Sequence, residues 1–371
     1  MTEILERTGV GRPSEVTVEV VDVDVHPEAK TADELRPYIS DPWRGMPDQM
    51  VRPIGSPLYV PPHNARRLDA YSPKGGPPCS DPEFTEQQLF GDARVDYALL
   101  IPLTVRPMAN PEHEAAIASA VNAWLAETWL GKYNGHGRYH AAIVLPTGSP
   151  ELAVREIDKW GDHPYFVEVM LGSATRAPYG QPQFYPIYQA AVRHDLPVAV
   201  HVTRAPGMGL LTPVGYVSYL WEHHCLYPLI YGTHLISMLC EGIFERFPTL
   251  KVAFIEGGFG WLPPLLWRLD QHWNELRLEV PGLKRKPSEY LRDHLRFSSQ
   301  PIEEPPDPRQ LQRVLELMDA EHTLMFSTDY PHWDGDYDPR GLFRHLSPSA
   351  RRRILCENAL ELYGLPPTRT A

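Results

Sequence analysis

Val20-Val21-Asp22-Val23-Asp24-Val25-His26-Pro27 is the stretch that decides how the rest of this chain folds. Side chains alternate along an extended strand, so Asp22, Asp24 and His26 leave one face and the valines between them leave the other. A polar inner face and an apolar outer face fit a barrel whose interior holds a charged centre, with Asp24 and His26 as a metal clamp at the carboxyl end. An edge strand with a solvated face is the alternative.

The composition of the 371-residue chain is that of an ordinary globular protein, with 43% hydrophobic and 22% charged residues. Its net charge of −12 gives no general attraction for nucleic acid or for an anionic membrane. No apolar run reaches the roughly 18 residues of a membrane span, and residues 1–19 lack the apolar segment of a signal peptide. The four cysteines are scattered, as free thiols in a reducing compartment are, so we expect a cytoplasmic protein.

Eight short apolar strands alternate with helices along the chain. Continuous apolar strands with helical crossovers indicate a parallel sheet that is covered on both faces. Eight of them predict an α/β fold, a closed (β/α)8 TIM barrel; a doubly wound open sheet is the alternative, but no glycine-rich phosphate turn follows the first strand. The predicted strands are 20–26, 95–102, 140–146, 165–171, 197–202, 251–256, 294–299 and 323–329, and the predicted helices are 111–130, 151–160, 185–194, 216–226, 233–247, 262–278, 308–318 and 347–363.

A long proline-rich insertion, 32–92, separates the first two strands. Its proline density predicts that it contains no helix, and a loop of this length is usually functional, here a lid over the site or an arm that clasps a second subunit. The chain then divides into an N-terminal extension, 1–19, and a single barrel domain, 20–371, that ends in a helical tail, 347–371.

Ionisable side chains occupy the carboxyl ends of the predicted strands, where barrel enzymes carry their chemistry. These are Asp24 and His26 on the first strand, His201 on the fifth, Glu256 on the sixth and Asp329 on the eighth. Five nitrogen and oxygen ligands without a sulfur are typical of a catalytic divalent metal site and not of a structural zinc site. Taken singly, each residue has an ordinary alternative as a core histidine or a turn carboxylate, but their shared placement favours the metal.

Two motifs carry a family resemblance: Glu-Gly-Gly-Phe-Gly-Trp at 256–261 and Ser-Thr-Asp-Tyr-Pro-His at 327–332. With Asp-x-His on the first strand and a histidine on the fifth, they resemble the amidohydrolase superfamily. The branch they resemble contains aminocarboxymuconate semialdehyde decarboxylase and the resorcylate decarboxylases. The segment 242–252 resembles that branch as well, and the resemblance extends over about 20–365.

The resemblance implies one divalent metal ion held by Asp24, His26, His201 and Asp329, with Zn²⁺ as the first expectation and Mn²⁺ as the second. It implies decarboxylation of a small aromatic or unsaturated carboxylic acid, with Glu256 placed to take or return the proton. The alternative role for Glu256 is that of a fifth metal ligand. It also implies a homodimer, which light scattering tests.

Two positions depart from the family pattern, because the branch usually has histidine where this chain has Asp24 and Glu256. Aspartate binds a borderline metal well and shifts the preference toward oxygen-loving ions such as Mn²⁺. A glutamate beside a cation should be ionised near pH 7, which suits the alternative reaction, hydrolysis of an amide, lactone or C–C bond at the same centre. A third hypothesis, a barrel that has lost its metal and serves as a binding protein, is disfavoured by the full ligand set.

Several loop residues are candidates for contact with a small-molecule carboxylate. Arg106 and Arg204 follow the second and fifth strands, where a guanidinium can clamp a carboxylate; surface ion pairs are the alternative. His63, Arg66 and Arg67 lie in the insertion as candidate pocket residues, with solvated loop charges as the alternative. His332, at the end of the eighth-strand motif, is a candidate catalytic residue, with an ordinary loop histidine as the alternative.

Overall fold

A barrel of eight parallel strands forms the centre of the molecule. The computed structural model describes residues 15–46, 65–105, 107–203, 217–335 and 338–370. The barrel strands are β1 Val21–Val25, β2 Tyr97–Leu100, β3 Tyr139–Val144, β4 Phe166–Gly172, β5 Val198–His201, β6 Val252–Ile255, β7 Leu295–Ser298 and β8 Leu324–Met325. They lie side by side in chain order, which confirms the predicted (β/α)8 barrel.

The register of the strands aligns their carboxyl ends. Every residue of the barrel strands is buried, as expected for a parallel sheet that is covered on both faces. Gly172 of β4 lies beside His201 of β5, which in turn lies beside Ile255 of β6. Because Glu256 follows Ile255 directly, this register places Glu256 next to His201.

Helices surround the strands, and many begin with proline in the first turn, where its missing N–H costs no hydrogen bond. They are α1 Ala32–Leu35, α2 Pro82–Glu86, α3 Pro111–Leu125, α4 Pro150–Trp160, α5 Tyr185–Arg193, α6 Leu220–Cys225, α7 Tyr227–Cys240, α8 Ile243–Arg246, α9 Leu262–Leu276, α10 Leu291–His294, α11 Pro308–Leu317, α12 Ala320–Thr323, α13 Pro339–Leu342, α14 Pro348–Arg352 and α15 Asn358–Tyr363. The π-helical segments Gln87–Asp92, Ala126–Lys132 and Arg353–Glu357 extend α2, α3 and α14. Within the described part of the chain, none of the helices has the length and apolar character needed to cross a membrane.

The prediction that 32–92 contains no helix is wrong. Pro82 begins α2, and the helical path continues through the π-helical turn to Asp92. The Asp81 carboxylate caps this helix by accepting a hydrogen bond from the backbone N–H of Phe84 at 3.4 Å. Proline excludes a helix only from its interior, and no proline follows Pro82 within this segment.

Two other elements differ from the prediction because of local backbone constraints. The predicted helix 233–247 divides into α7 and α8 at Gly242, whose φ of +68° interrupts the helix. The predicted eighth strand, 323–329, has only Leu324 and Met325 in the sheet ladder. The residues after Met325 turn instead toward β1.

The seam between β8 and β1 closes the barrel through a few specific hydrogen bonds. The N–H of Val23 donates to Phe326 O at 3.2 Å, and the N–H of His26 donates to Tyr330 O at 2.8 Å. The buried Asp22 carboxylate accepts from the backbone N–H of Thr328 at 2.9 Å and from its hydroxyl at 2.5 Å. These contacts fix the chain around Asp329 against the strand that carries Asp24 and His26.

The two ends of the described chain meet in a small separate sheet. Glu15–Thr17 pairs antiparallel with Thr368–Thr370. The C-terminal tail is therefore helical only as far as Tyr363 and ends in a strand.

Glu168 on β4 is a fully buried acid that none of the predicted roles uses. Its two carboxylate oxygens are buried, and the Tyr363 hydroxyl faces them. Burial raises the pKa of Glu168 from 4.5 to about 8, which keeps the carboxyl neutral at neutral pH.

This shift predicts a pH dependence of stability in the metal-free protein. Because the folded-state pKa lies above the unfolded value, the stability that the neutral carboxyl provides is complete below pH 4.5 and is lost as the pH rises to about 8. The loss is at most about 1.4 kcal/mol per pH unit. Urea unfolding of wild type and Glu168→Gln measures it: the wild type should lose stability relative to the variant across this window. A difference that is constant with pH would contradict a neutral Glu168.

Candidate metal centre

Six ionisable side chains converge at the carboxyl end of the barrel, and all are buried. Ligand atoms of Asp24, His26, His201 and Glu256 lie within 4.8 Å of one another, and so do those of a second group, His26, Glu256, Asp329 and His332. The structure thus brings together every metal-ligating and catalytic residue that the sequence suggested.

Distances between these atoms match the edges of a coordination polyhedron. His26 Nε2 lies 2.7 Å from Asp329 Oδ1 and 3.3 Å from Asp24 Oδ1. His201 Nε2 lies 3.1 Å from Asp24 Oδ1 and 3.3 Å from Glu256 Oε2. Ligands about 2.1 Å from one ion are separated by about 3.0 Å at right angles and about 3.4 Å in a tetrahedron. The cluster therefore has the dimensions of a site for a small divalent ion.

Backbone carbonyls orient both strand histidines. His26 Nδ1 lies 2.9 Å from Ile101 O, and His201 Nδ1 lies 2.9 Å from Val202 O. A carbonyl only accepts, so each Nδ1 carries a proton and Nε2 of each ring faces the carboxylates, where its lone pair can bind a metal once Nε2 is unprotonated. A lone pair facing a carboxylate oxygen at 2.7 Å needs a proton or a cation between them, and the donor set fits a cation.

Electrostatics of the cluster favour a cation in the same place. Burial lowers the pKa of His26 to about 4, which disfavours a second proton on its ring. Burial, then Glu256 and Asp24, hold the pKa of Asp329 well above its usual range. Burial acts to lower the pKa of His201, but the Asp24 carboxylate and Glu256 outweigh it and raise that pKa to about 9. Carboxylates crowded without water attract positive charge, and a divalent ion supplies it.

The backbone is strained at the two carboxylate residues that follow strands β6 and β8. Glu256 has a φ of +59° and Asp329 a φ of +55°, a region that residues with a side chain rarely adopt. Such strain persists only where the surrounding structure enforces it, and it concentrates at functional sites. The sequence gives no sign of this strain, because a positive φ is expected at glycine and neither residue is glycine.

His332 contacts the cluster directly. Its Nδ1 forms a short contact with Asp329 Oδ1, and its ring centroid lies 4.8 Å from that of His26. Its side chain is about one-tenth exposed, whereas the other residues of the cluster are almost fully buried. This position suits a residue that orients Asp329 and meets a substrate.

Arg66, which the sequence suggested only as one of several pocket residues, contacts the cluster through its backbone. Its backbone bridges to His332, and its charge reaches both His26 and Asp329. Its Nη1 is buried and has no hydrogen-bond partner within the described residues. A guanidinium donor that is buried beside this cluster is a ready partner for a carboxylate. His63, Arg106 and Arg204, the predicted substrate-binding residues, lie outside the described residues.

A (β/α)8 barrel with histidine and carboxylate side chains converging at the carboxyl ends of its strands defines the class: a metal-dependent barrel enzyme. The chain belongs to the amidohydrolase family, whose model matches residues 21–365.

Two curated relatives of this chain are named as decarboxylases. The gamma-resorcylate decarboxylase of Polaromonas sp. is 24% identical over 285 residues, which cover 70% of this chain and 80% of the relative. The 2-amino-3-carboxymuconate-6-semialdehyde decarboxylase of Dictyostelium discoideum is 25% identical over 303 residues, which cover 78% and 79%. The resemblance predicted from the motifs is thereby confirmed.

Solved structures share the fold. An amidohydrolase from Mycobacterium avium subsp. paratuberculosis superposes with a TM-score of 0.71 at 21% identity, covering 94% of this chain and 100% of that one. A dihydroxybenzoic acid decarboxylase from Polaromonas sp., solved with manganese and the inhibitor 2-nitroresorcinol, has a TM-score of 0.63 at 18% identity, covering 94% and 97%.

A metal count tests the centre. Protein purified without chelator should carry about one divalent ion per chain by mass spectrometry of metals, and Asp24→Asn should lose most of it because a ligand charge is removed. Asp270→Asn is the matched control, since that carboxylate binds Ser288 away from the cluster. Equal metal content in wild type and Asp24→Asn would contradict the assignment.

Proposed function

We propose that this enzyme is a metal-dependent decarboxylase of a small aromatic or unsaturated carboxylic acid. The proposal rests on one observation: a buried carboxylate–histidine cluster lies beside the Nη1 donor of Arg66, which has no hydrogen-bond partner in the part of the chain that the structure describes. This arrangement offers a cation and a carboxylate clamp side by side. The decarboxylase activity named for both curated relatives supports the same reaction.

In this proposal Asp24, His26, His201 and Asp329 hold one divalent ion, Zn²⁺ or Mn²⁺. The carboxylate content of the set suits Mn²⁺ as well as Zn²⁺, and the Polaromonas structure contains manganese. When bound, the ion polarises a substrate oxygen next to the bond that breaks. His332 holds Asp329 in place from the opening of the site.

Glu256 is the proposed proton carrier. Decarboxylation breaks the bond between carbon and the carboxylate, leaves the electron pair on that carbon and requires one proton there. The strained backbone and the 3.3 Å approach to His201 hold the Glu256 carboxylate at the centre, where it first takes a proton from water or from the substrate and then delivers it to that carbon. Hydrolysis at the same centre would use Glu256 as the base instead, and an assay separates the two reactions.

Arg66 is the proposed anchor of the substrate carboxylate, with His63, Arg106 and Arg204 as further proposed contacts. Homodimer assembly and a cytoplasmic location stay predictions from the resemblance and the composition.

The reaction is tested by measuring CO₂ release from hydroxybenzoates and unsaturated acids, beside hydrolysis of esters, lactones and amides. We expect CO₂ release, and Glu256→Gln should lower kcat by ~10²-fold or more with the metal retained, because an amide cannot transfer the proton. Turnover confined to hydrolysis would overturn the decarboxylase assignment. Joint loss of metal and activity in Glu256→Gln would make Glu256 a ligand.

Arg66→Ala should raise the KM for the substrate acid by about 10- to 100-fold, the worth of a charge-assisted hydrogen bond. Arg67→Ala is the matched control, since that guanidinium already pairs with Asp69. A KM that is unchanged by Arg66→Ala, or raised equally by both substitutions, would remove Arg66 from substrate binding.

A further inference from the structure

The strained backbone at Glu256 is held from three sides by hydrogen bonds to its own peptide and its neighbours. The Tyr231 hydroxyl donates to Ile255 O at 2.5 Å on one side. The Trp261 indole donates to Gly257 O at 3.1 Å on the other. Between them, the N–H of Glu256 itself donates to the Ser298 hydroxyl oxygen at 2.9 Å.

Ser298 forms a side-chain hydrogen bond where the backbone pairing between β6 and β7 ends. It is the last residue of β7, its side chain is buried, and the β6–β7 pairing ends one residue earlier at Phe254 and Phe297. The N–H of Glu256, two residues past the last ladder pair between β6 and β7, meets the Ser298 side chain. The Ser298 hydroxyl accepts that N–H and donates to Gln300 O at 3.1 Å, so both of its roles are filled.

We propose that Ser298 is a positioning residue that holds Glu256 in its strained conformation and thereby aims the carboxylate at the metal centre. The inference rests on the proposed role of Glu256 as proton carrier. Without the Ser298 hydroxyl, the buried N–H of Glu256 loses its acceptor, and the backbone is free to relax to a negative φ. Such a relaxation rotates the side chain away from His201.

Ser298→Ala should lower kcat by about 5- to 150-fold, which corresponds to the loss of one buried hydrogen-bond acceptor, with little change in KM. Ser298→Thr keeps a hydroxyl in a strand position that tolerates β-branched residues, so it should restore most of the activity.

A double-mutant cycle separates positioning from a general structural effect. If Ser298 acts through Glu256, Ser298→Ala should have no further effect on kcat in the Glu256→Gln background. Ser299→Ala is the matched control: its buried hydroxyl accepts the N–H of Ser327 at 3.0 Å instead, so its effects on kcat and on the melting temperature should stay additive with Glu256→Gln.

A crystal structure of Ser298→Ala tests the inference without a substrate. We expect residue 256 to leave the positive φ region and its carboxylate to move away from His201. An unchanged φ and carboxylate position, or additive losses of kcat in the Ser298–Glu256 cycle, would overturn the inference. If Glu256→Gln alone leaves kcat unchanged, the proposed role of Glu256 fails instead, and the crystal structure still decides whether Ser298 holds the backbone.

Discussion

The crowding of carboxylates and imidazoles at the carboxyl end of the barrel is the constraint on which the rest of this structure depends. Asp24, Glu256 and Asp329 meet the imidazoles of His26 and His201 with almost no access to water. Buried charges of one sign are costly unless a partner compensates them. The orientation of His26 and His201 by backbone carbonyls leaves Nε2 of each ring facing inward, so the compensation that fits is a divalent cation.

Closure of the barrel delivers the ligands to one point. The ladder between β5 and β6 aligns His201 with Ile255 and so with Glu256. The last strand, by contrast, is short, and side-chain bonds replace the missing ladder: Asp22 binds Thr328, one residue before Asp329. Asp22, which lies on the same face of β1 as Asp24, therefore bonds to the residues that follow β8. These bonds hold Asp329 next to His26.

Much of this arrangement was predictable from residue order alone. Apolar strands with helical crossovers gave the barrel, and the carboxyl ends of those strands gave Asp24, His26, His201, Glu256 and Asp329, because both signals are local. The helix that begins at Pro82 was missed since its proline occupies the first turn, where it is harmless. Arg66 was underweighted because its importance comes from a long-range pairing with His332 that no local pattern encodes. Ser298 and the positive φ of Glu256 were invisible for the same reason.

The proposed site holds one divalent ion among Asp24, His26, His201 and Asp329. An anomalous difference map from crystals of the protein loaded with Mn²⁺ tests it most directly. We expect one strong peak about 2.0–2.3 Å from Asp24 Oδ1 and from Nε2 of both histidines. A map without a peak there, or with its peak outside the carboxyl end of the barrel, would contradict the proposed metal site.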